Sequence, residues 1–364
     1  MKTRSLPGRR FPRVPGTVAG LMLLGTTCLH GELPTTNTVM AARARLIALR
    51  SPELQRQLGV DPGQIERMAK VLDEVDLPLW QLRDLPPDQG NAKALPLFRR
   101  LCESLDSALL PDQLKQLDQI AFRLQGWQAL QLPSVVDQLR LDGRQEQQYS
   151  EFLAGAKALA GRSPREVSLA EFNWIQQVLT AGQRNQLKEL LGAPIDFSRH
   201  RLLQVKAPEV VGVDHWINSA PLKLEDLRGK VVVVTFWTFG CINCIHNLPH
   251  YRKWHAQLPR DRVTLLAFHT PETAAEHDLE RVKEAVQKQN LRFPIAVDER
   301  KENWKAWGNN IWPSVYLVDK QGYVRAWWYG ELNWQGATGE QQMLARIREL
   351  MAEPQPAGEA VDRK

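Results

Sequence analysis

The run Val231-Val232-Val233-Val234-Thr235-Phe236-Trp237 leads, through Thr238-Phe239-Gly240, into Cys241-Ile242-Asn243-Cys244. Apolar and β-branched residues without polar alternation describe a strand buried on both faces, as in sheets covered by helices. Such a strand hands the chain to a helix, so the cysteines fall at a helix start. Unpaired backbone N–H groups and the helix dipole stabilise a thiolate there. The spacing leaves the second thiol within reach of the first, so the pair can close as a disulfide. The segment predicts a dithiol redox site with Cys241 and Cys244 as its catalytic residues.

The neighbouring residues exclude two other uses of paired cysteines. Covalent haem attachment needs histidine directly after the second cysteine. Ile245 stands there, and His246 comes one residue late. A zinc site could draw on Cys241, Cys244, His246 and His250. However, a closed structural site usually takes its second ligand pair from a separate segment. No metal and no cofactor are therefore expected.

The chain has 364 residues, enough for two domains with additions. Its net charge of +6 is concentrated at the start, where Lys2, Arg4, Arg9, Arg10 and Arg13 precede the first acid, Glu32. The rest is close to neutral, so no nucleic-acid surface is expected. After the basic start, Val18 to Leu24 is a short apolar stretch followed by small residues. Residues 1–31 thus read as a secretory signal or a membrane anchor. Cys28 is a candidate for lipidation. These readings predict an extracytoplasmic protein, periplasmic, secreted or membrane-tethered, in an oxidising compartment. Cys102, within a helical pattern, reads as a small buried apolar residue.

Residues 40–195 read as an all-α domain, with apolar residues at three- and four-residue spacing. A short pattern recurs at Val60–Gln64, Leu109–Gln113, Leu141–Gln145 and Leu179–Gln183. Each copy places an apolar residue four positions before a glutamine. Three copies place Asp or Thr next, which predicts a capping box: the cap side chain takes one amide and the glutamine returns a bond to another. In the second copy Leu110 occupies the cap position, and Asp112 is the candidate cap of a shifted start. The pattern resembles the LTxxQ repeat of Spy/CpxP-type helical proteins. Only Leu179-Thr180-Ala181-Gly182-Gln183 matches that repeat in full.

From about residue 207 strands alternate with helices. Strands are expected at 231–237, 263–268, 295–297, 315–318 and 323–328, with helices from 241 toward 258 and at 278–289, 303–307 and 340–351. A hairpin around Lys320-Gln321-Gly322 closes the series. The fold class is an α/β three-layer sandwich over residues 207–352, with a disordered tail at 353–364. Nine of the twelve tryptophans lie from Trp216 onward, most of them expected in the core. An aromatic cleft involving Trp327 and Trp328 is a second possibility.

Several residues in this half carry a family resemblance. They are Leu227-Arg228-Gly229-Lys230, Phe236-Trp237, Cys241-Ile242-Asn243-Cys244, Leu248-Pro249, His269-Thr270-Pro271-Glu272 and Trp312-Pro313. Together they resemble the thioredoxin-like domains of TlpA/ResA-type thiol–disulfide proteins, in particular the variant of DipZ-type cytochrome-biogenesis proteins. The resemblance covers about two fifths of the chain. It implies a redox-active Cys241–Cys244 disulfide, a kink at Pro249, and a cis bond before Pro313. It also implies that Trp312 and Pro313 border bound substrate.

Two positions depart from the family. Thr235 stands where thioredoxins bury an aspartate, and Asn247 where ResA-like members carry a glutamate. His246 and Glu272 are the candidates for the missing proton relay. The resemblance implies an enzyme that reduces or exchanges disulfides in protein substrates and draws electrons from a membrane or periplasmic donor. Two alternatives are a client-binding chaperone or scaffold and a peroxiredoxin-like peroxidase. The peroxidase needs a lone cysteine in a Pro- and Thr-containing loop, and Phe239-Gly240-Cys241 does not supply one.

Overall fold

The computed structural model describes residues 36–355, apart from 126–128, 131, 161–163 and 196–204. The expected leader, Cys28 and positions 356–364 of the tail lie outside the described residues. The chain divides into two compact units, one ending at Leu203 and one running from Gln204.

The first unit is helical: α1 (Thr36–Leu49), α2 (Pro52–Gln57), α3 (Pro62–Gln81), α4 (Pro87–Ala108), α5 (Pro111–Gln125), α6 (Pro133–Leu139), α7 (Gly143–Ala160), α8 (Pro164–Val178) and α9 (Ala181–Leu191). One core joins α1 to α5 through Leu49, Leu54, Met68, Phe98 and Leu117. A second joins the end of α5 to α6, α7, α8 and α9 through Phe122, Leu132, Tyr149 and Trp174. The repeated glutamines start helices as capping physics requires. Asp61 accepts from the Gln64 amide and Gln64 accepts from the Asp61 amide, and Thr180 with Gln183 does the same. Asp142 and Gln145 form a third box. The second copy corrects the expectation of a shifted start. Helix α5 begins at Pro111, and Gln113 still accepts from the Leu110 amide at 2.9 Å.

Cys102 is buried in the first core, at 2 % exposed, but it is disulfide-bonded rather than a lone thiol. Its site is not purely apolar, because Arg45 Nη1 approaches its sulfur at 3.6 Å.

The second unit is one seven-stranded sheet in the order β1-β7-β6-β3-β4-β5-β2. The strands are β1 (Val205–Lys206), β2 (His215–Ile217), β3 (Val231–Trp237), β4 (Val263–His269), β5 (Ile295–Val297), β6 (Ser314–Val318) and β7 (Tyr323–Tyr329). Strand β3 lies at the centre, parallel to β4 and antiparallel to β6. All seven of its residues are buried, which explains its unbroken apolar run. Helices α10 (Ile242–Gln257), α11 (Leu279–Lys288), α12 (Glu302–Ala306) and α13 (Gly339–Ala352) complete the unit.

Side chains alternate across the sheet. On one face Val231, Val233 and Trp237 pack with Leu248 and Trp254 of α10, Val282 of α11 and Ile347 of α13. On the other, Phe236 packs with Phe268, Trp304, Trp307 and Tyr316, ring centroids 4.8 to 6.1 Å apart. The second unit is thus a thioredoxin-like mixed sheet covered by helices, and the first is helical. Two strands, β1 and β2, were not expected from the sequence. Residues 353–355 also differ from the expected loose tail: the Glu353 carboxylate accepts from Arg325, and Gln355 donates to the Gly229 carbonyl.

Candidate active site

Strand β3 ends at Trp237, and the turn 238–240 delivers Cys241 to the N-cap of α10. Both cysteines are free thiols, Cys241 part-exposed and Cys244 fully buried. The Cys241 thiol is held down to about 7 by a hydrogen bond from the Cys244 side chain. Partial burial opposes this, and the amides of Cys244 and Asn243 at the helix start reinforce it. Burial pushes the Cys244 thiol well up, and so do its hydrogen bond to Cys241 and the Cys241 charge. Glu272 adds a like charge that opposes ionisation of both sulfurs.

Pro249 lies inside α10, and the Trp312–Pro313 bond is cis. Phe236 pairs with Ser314, so Pro313 sits at the same sheet end as the approach to Cys241. The Trp312 indole donates to the Thr270 carbonyl at 3.2 Å and stacks on Trp304 at 3.9 Å. Trp312, Phe239 and Cys241 pack against the same core. Trp312, Pro313 and the dithiol thus gather at one end of the sheet, with Glu272 on the loop after β4. Trp328 is instead a core residue. His246, on the exposed side of α10, shares a hydrogen bond with Glu331 at 3.0 Å.

The positions that lack the family carboxylates are buried. Thr235 is 1 % exposed, and its hydroxyl has no partner among the described residues. Asn247 is used fully: it donates to Tyr251 Oη and the Gly330 carbonyl, and accepts from the Leu332 amide. It ties α10 to the loop after β7 rather than titrating.

Sequence reasoning passed over a buried polar cluster beneath the dithiol turn. Glu276 is 1 % exposed. One carboxylate oxygen accepts from the Gly240 amide at 2.8 Å; the other accepts from the amides of Glu272 at 2.6 Å and Thr273 at 2.8 Å. Burial alone would raise its pKa, but these bonds and one from the Thr238 hydroxyl hold the carboxyl below its usual range. Thr238 also bonds His269 Nε2 at 3.4 Å. The carboxylate can only accept, so the single Thr238 hydroxyl hydrogen goes to Glu276 and Nε2 carries the imidazole hydrogen. His269 Nδ1 is left without a partner among the described residues. The signal available in sequence was Thr273-Ala274-Ala275-Glu276, a Thr-x-x-Glu capping box.

Among the described residues, no group of three or more His, Cys, Asp or Glu side chains could hold a metal ion.

Residues 203–327 match the family model described as the AhpC/TSA family. Protein DipZ of Mycobacterium bovis is 33% identical over 155 residues, 42% of this chain and 22% of that protein. Thiol-disulfide oxidoreductase ResA of Bacillus cereus is 29% identical over 130 residues, 35% of this chain and 71% of its own length. The crystal structure of a thioredoxin-like superfamily protein, SPOA0173, is 31% identical, with 42% of this chain and 99% of that chain covered and a TM-score of 0.38. The chain spans about a fifth of the length of the first curated relatives it matches.

Proposed function

We propose that this chain, whose second unit is a thioredoxin-like domain, is an extracytoplasmic thiol–disulfide oxidoreductase acting through Cys241 and Cys244. The observation that carries the reading is the asymmetry of the pair. Cys241 is accessible and ionises near neutrality, whereas Cys244 is fully buried and stays protonated. One attacks and the other resolves.

In the reducing direction the Cys241 thiolate attacks one sulfur of a substrate disulfide. A Cys241–substrate bond forms, and the other substrate sulfur leaves as a thiolate. Cys244 then gives up its proton and attacks Cys241 Sγ. The mixed disulfide breaks, and the second substrate sulfur departs. The substrate gains two electrons, its two thiolates take up the Cys244 proton and one proton from solvent, and the enzyme ends as the Cys241–Cys244 disulfide. A membrane or periplasmic electron donor returns it to the dithiol. The same steps reversed make the protein an oxidant. Trp312 and Pro313 border the disulfide-bearing segment of a protein substrate. Glu272, whose charge acts on both thiols, is our choice for the group that handles the Cys244 proton.

The deciding experiment is a glutathione or dithiothreitol redox titration of the full chain, read by mass spectrometry on the peptide carrying both cysteines. A two-electron couple with a potential near or below about −250 mV supports a reductant. A value near about −120 to −180 mV supports an oxidant or isomerase. A Cys241–Cys244 peptide that never forms a disulfide overturns the reading.

A further inference from the structure

The carboxylate of Glu276 touches two loops at once. One oxygen accepts from Gly240, the residue before Cys241, and the other accepts from Glu272 and Thr273 on the loop after β4. The side chain therefore ties the backbone that carries the attacking sulfur to the backbone that carries the facing carboxylate. The close approach depends on Gly240, since a side-chain carbon there would collide with Glu276 Oε1. The tie is anchored further by the Thr238 hydroxyl and by the short capping turn in which Glu276 sits. Burial penalises a carboxylate through desolvation unless its oxygens are met by donors. Here both oxygens are met, so the ionised form is the stable one.

A neutral side chain could not meet all of these donors: the amides of Gly240, Glu272 and Thr273 and the Thr238 hydroxyl all donate to the two oxygens. What the carboxylate adds is a fixed separation between two parts of the site that lie thirty-odd residues apart in sequence.

We propose that Glu276 is a positioning residue, which clips the Cys241 turn to the Glu272 loop and so fixes the distance at which the Glu272 charge acts on the dithiol. Through that distance it sets the balance between dithiol and disulfide. The inference builds on the oxidoreductase reading. The sign follows from electrostatics. A negative charge near Cys241 disfavours the thiolate and hence the reduced form. Weakening that charge, or moving it away, shifts the equilibrium toward the dithiol.

The test is a double-mutant cycle on the full chain, with each variant equilibrated against glutathione and read on the same cysteine peptide. Glu272→Gln is expected to shift the equilibrium about tenfold toward the dithiol, which is about 30 mV for a two-electron couple. Glu276→Gln is expected to shift it in the same direction. In the Glu272→Gln background, Glu276→Gln should add less than about twofold, because the charge it positions is gone. A full, additive shift in that background would mean that Glu276 acts by its own charge or by general loosening, and would overturn the proposal. So would a cooperatively folded Glu276→Gln protein with an unshifted equilibrium.

Should Glu276→Gln fail to fold, Gly240→Ala takes its place in the cycle. It displaces the same carboxylate while keeping its charge, and the same two outcomes decide. A wild-type chain with no measurable couple would instead remove the oxidoreductase reading. A titrating wild type with unmoved variants would remove only this inference.

Discussion

The side-chain amides of Gln64 and Gln113 bond each other in both directions, at 2.8 and 3.2 Å, across 49 residues of sequence. Gln64 also donates to the Ala108 carbonyl, and Gln113 to the Gly59 carbonyl. Gln145 and Gln183 repeat the arrangement at 2.9 Å, donating to the Val178 and Leu139 carbonyls. The four copies of the sequence repeat thus act as two pairs. Each glutamine caps its own helix and closes the end of the helix before its partner's. Gln64→Ala should destabilise the helical unit by roughly 2 to 4 kcal/mol, since it leaves a cap amide and a buried carbonyl unpaired. Denaturant unfolding of Gln64→Ala, Gln113→Ala and the double variant checks this. The two losses should fall short of additive by about 1 kcal/mol or more.

This pairing marks the boundary of what the chain discloses before it folds. Each capping box was readable because Asp61 and Gln64, or Thr180 and Gln183, are three residues apart. Which glutamine meets which was not, because that choice belongs to tertiary packing. The same division runs through the second unit. Strand β3 and the hairpin of β6 and β7 were legible in their apolar runs and turn residues. Val205–Lys206 and His215–Ile217 were not, because they are short edge strands held by pairing with β7 and β5. Cys241 and Cys244 announced themselves by spacing. Glu276 did not, because its bond to Gly240 spans 36 residues.

The roles of the cysteines predict opposite outcomes for their replacement. Cys241→Ser removes the attacking sulfur and should abolish turnover of a disulfide substrate. Cys244→Ser leaves attack intact and removes resolution, so substrate should accumulate as a mixed disulfide with Cys241. Non-reducing electrophoresis after incubation with a disulfide-bonded protein distinguishes the two. Mixed disulfides on Cys244 in the Cys241→Ser protein would reverse the assignment.

With Cys241 held down to about 7, its reactivity should follow the thiolate fraction across neutrality. Alkylation of the reduced protein by iodoacetamide is expected to rise about tenfold between pH 6 and pH 8 and then to level off. Cys244, buried with its thiol pushed up, should stay unmodified over that range. A rate that keeps climbing past pH 9 would show that the Cys244 hydrogen bond and the helix-start amides do not lower this thiol.

Asn247 occupies a position where a titrating carboxylate is expected from the family resemblance, yet its amide is spent on structure. Asn247→Ala would leave the Leu332 amide and the Gly330 carbonyl without their partner, and the Tyr251 hydroxyl without its donor. A loss of roughly 2 to 4 kcal/mol is expected in chemical denaturation. The pH dependence of Cys241 alkylation should keep its midpoint. A moved midpoint with unchanged stability would make Asn247 part of the redox chemistry instead.

His269 sets a stability limit on the acid side. Burial, opposed in part by the Glu276 charge, depresses the imidazole to about 4. An unfolded histidine titrates near 6.5. Below that pH the unfolded chain binds a proton that the native site refuses, so acidification favours unfolding. The loss begins near pH 6.5, grows as pH falls, and stops near pH 4, where the native histidine also protonates. Its size by pH 4 is about 3 kcal/mol. His269→Phe keeps a ring between Phe239 and Trp237 and removes the titration. Whatever its stability at pH 7, it should lose less than wild type between pH 6.5 and pH 4. Carboxylates such as Glu276, held below their usual range, weaken the fold at still lower pH in both proteins. Parallel stability curves over that interval would mean that His269 takes up its proton in the native state.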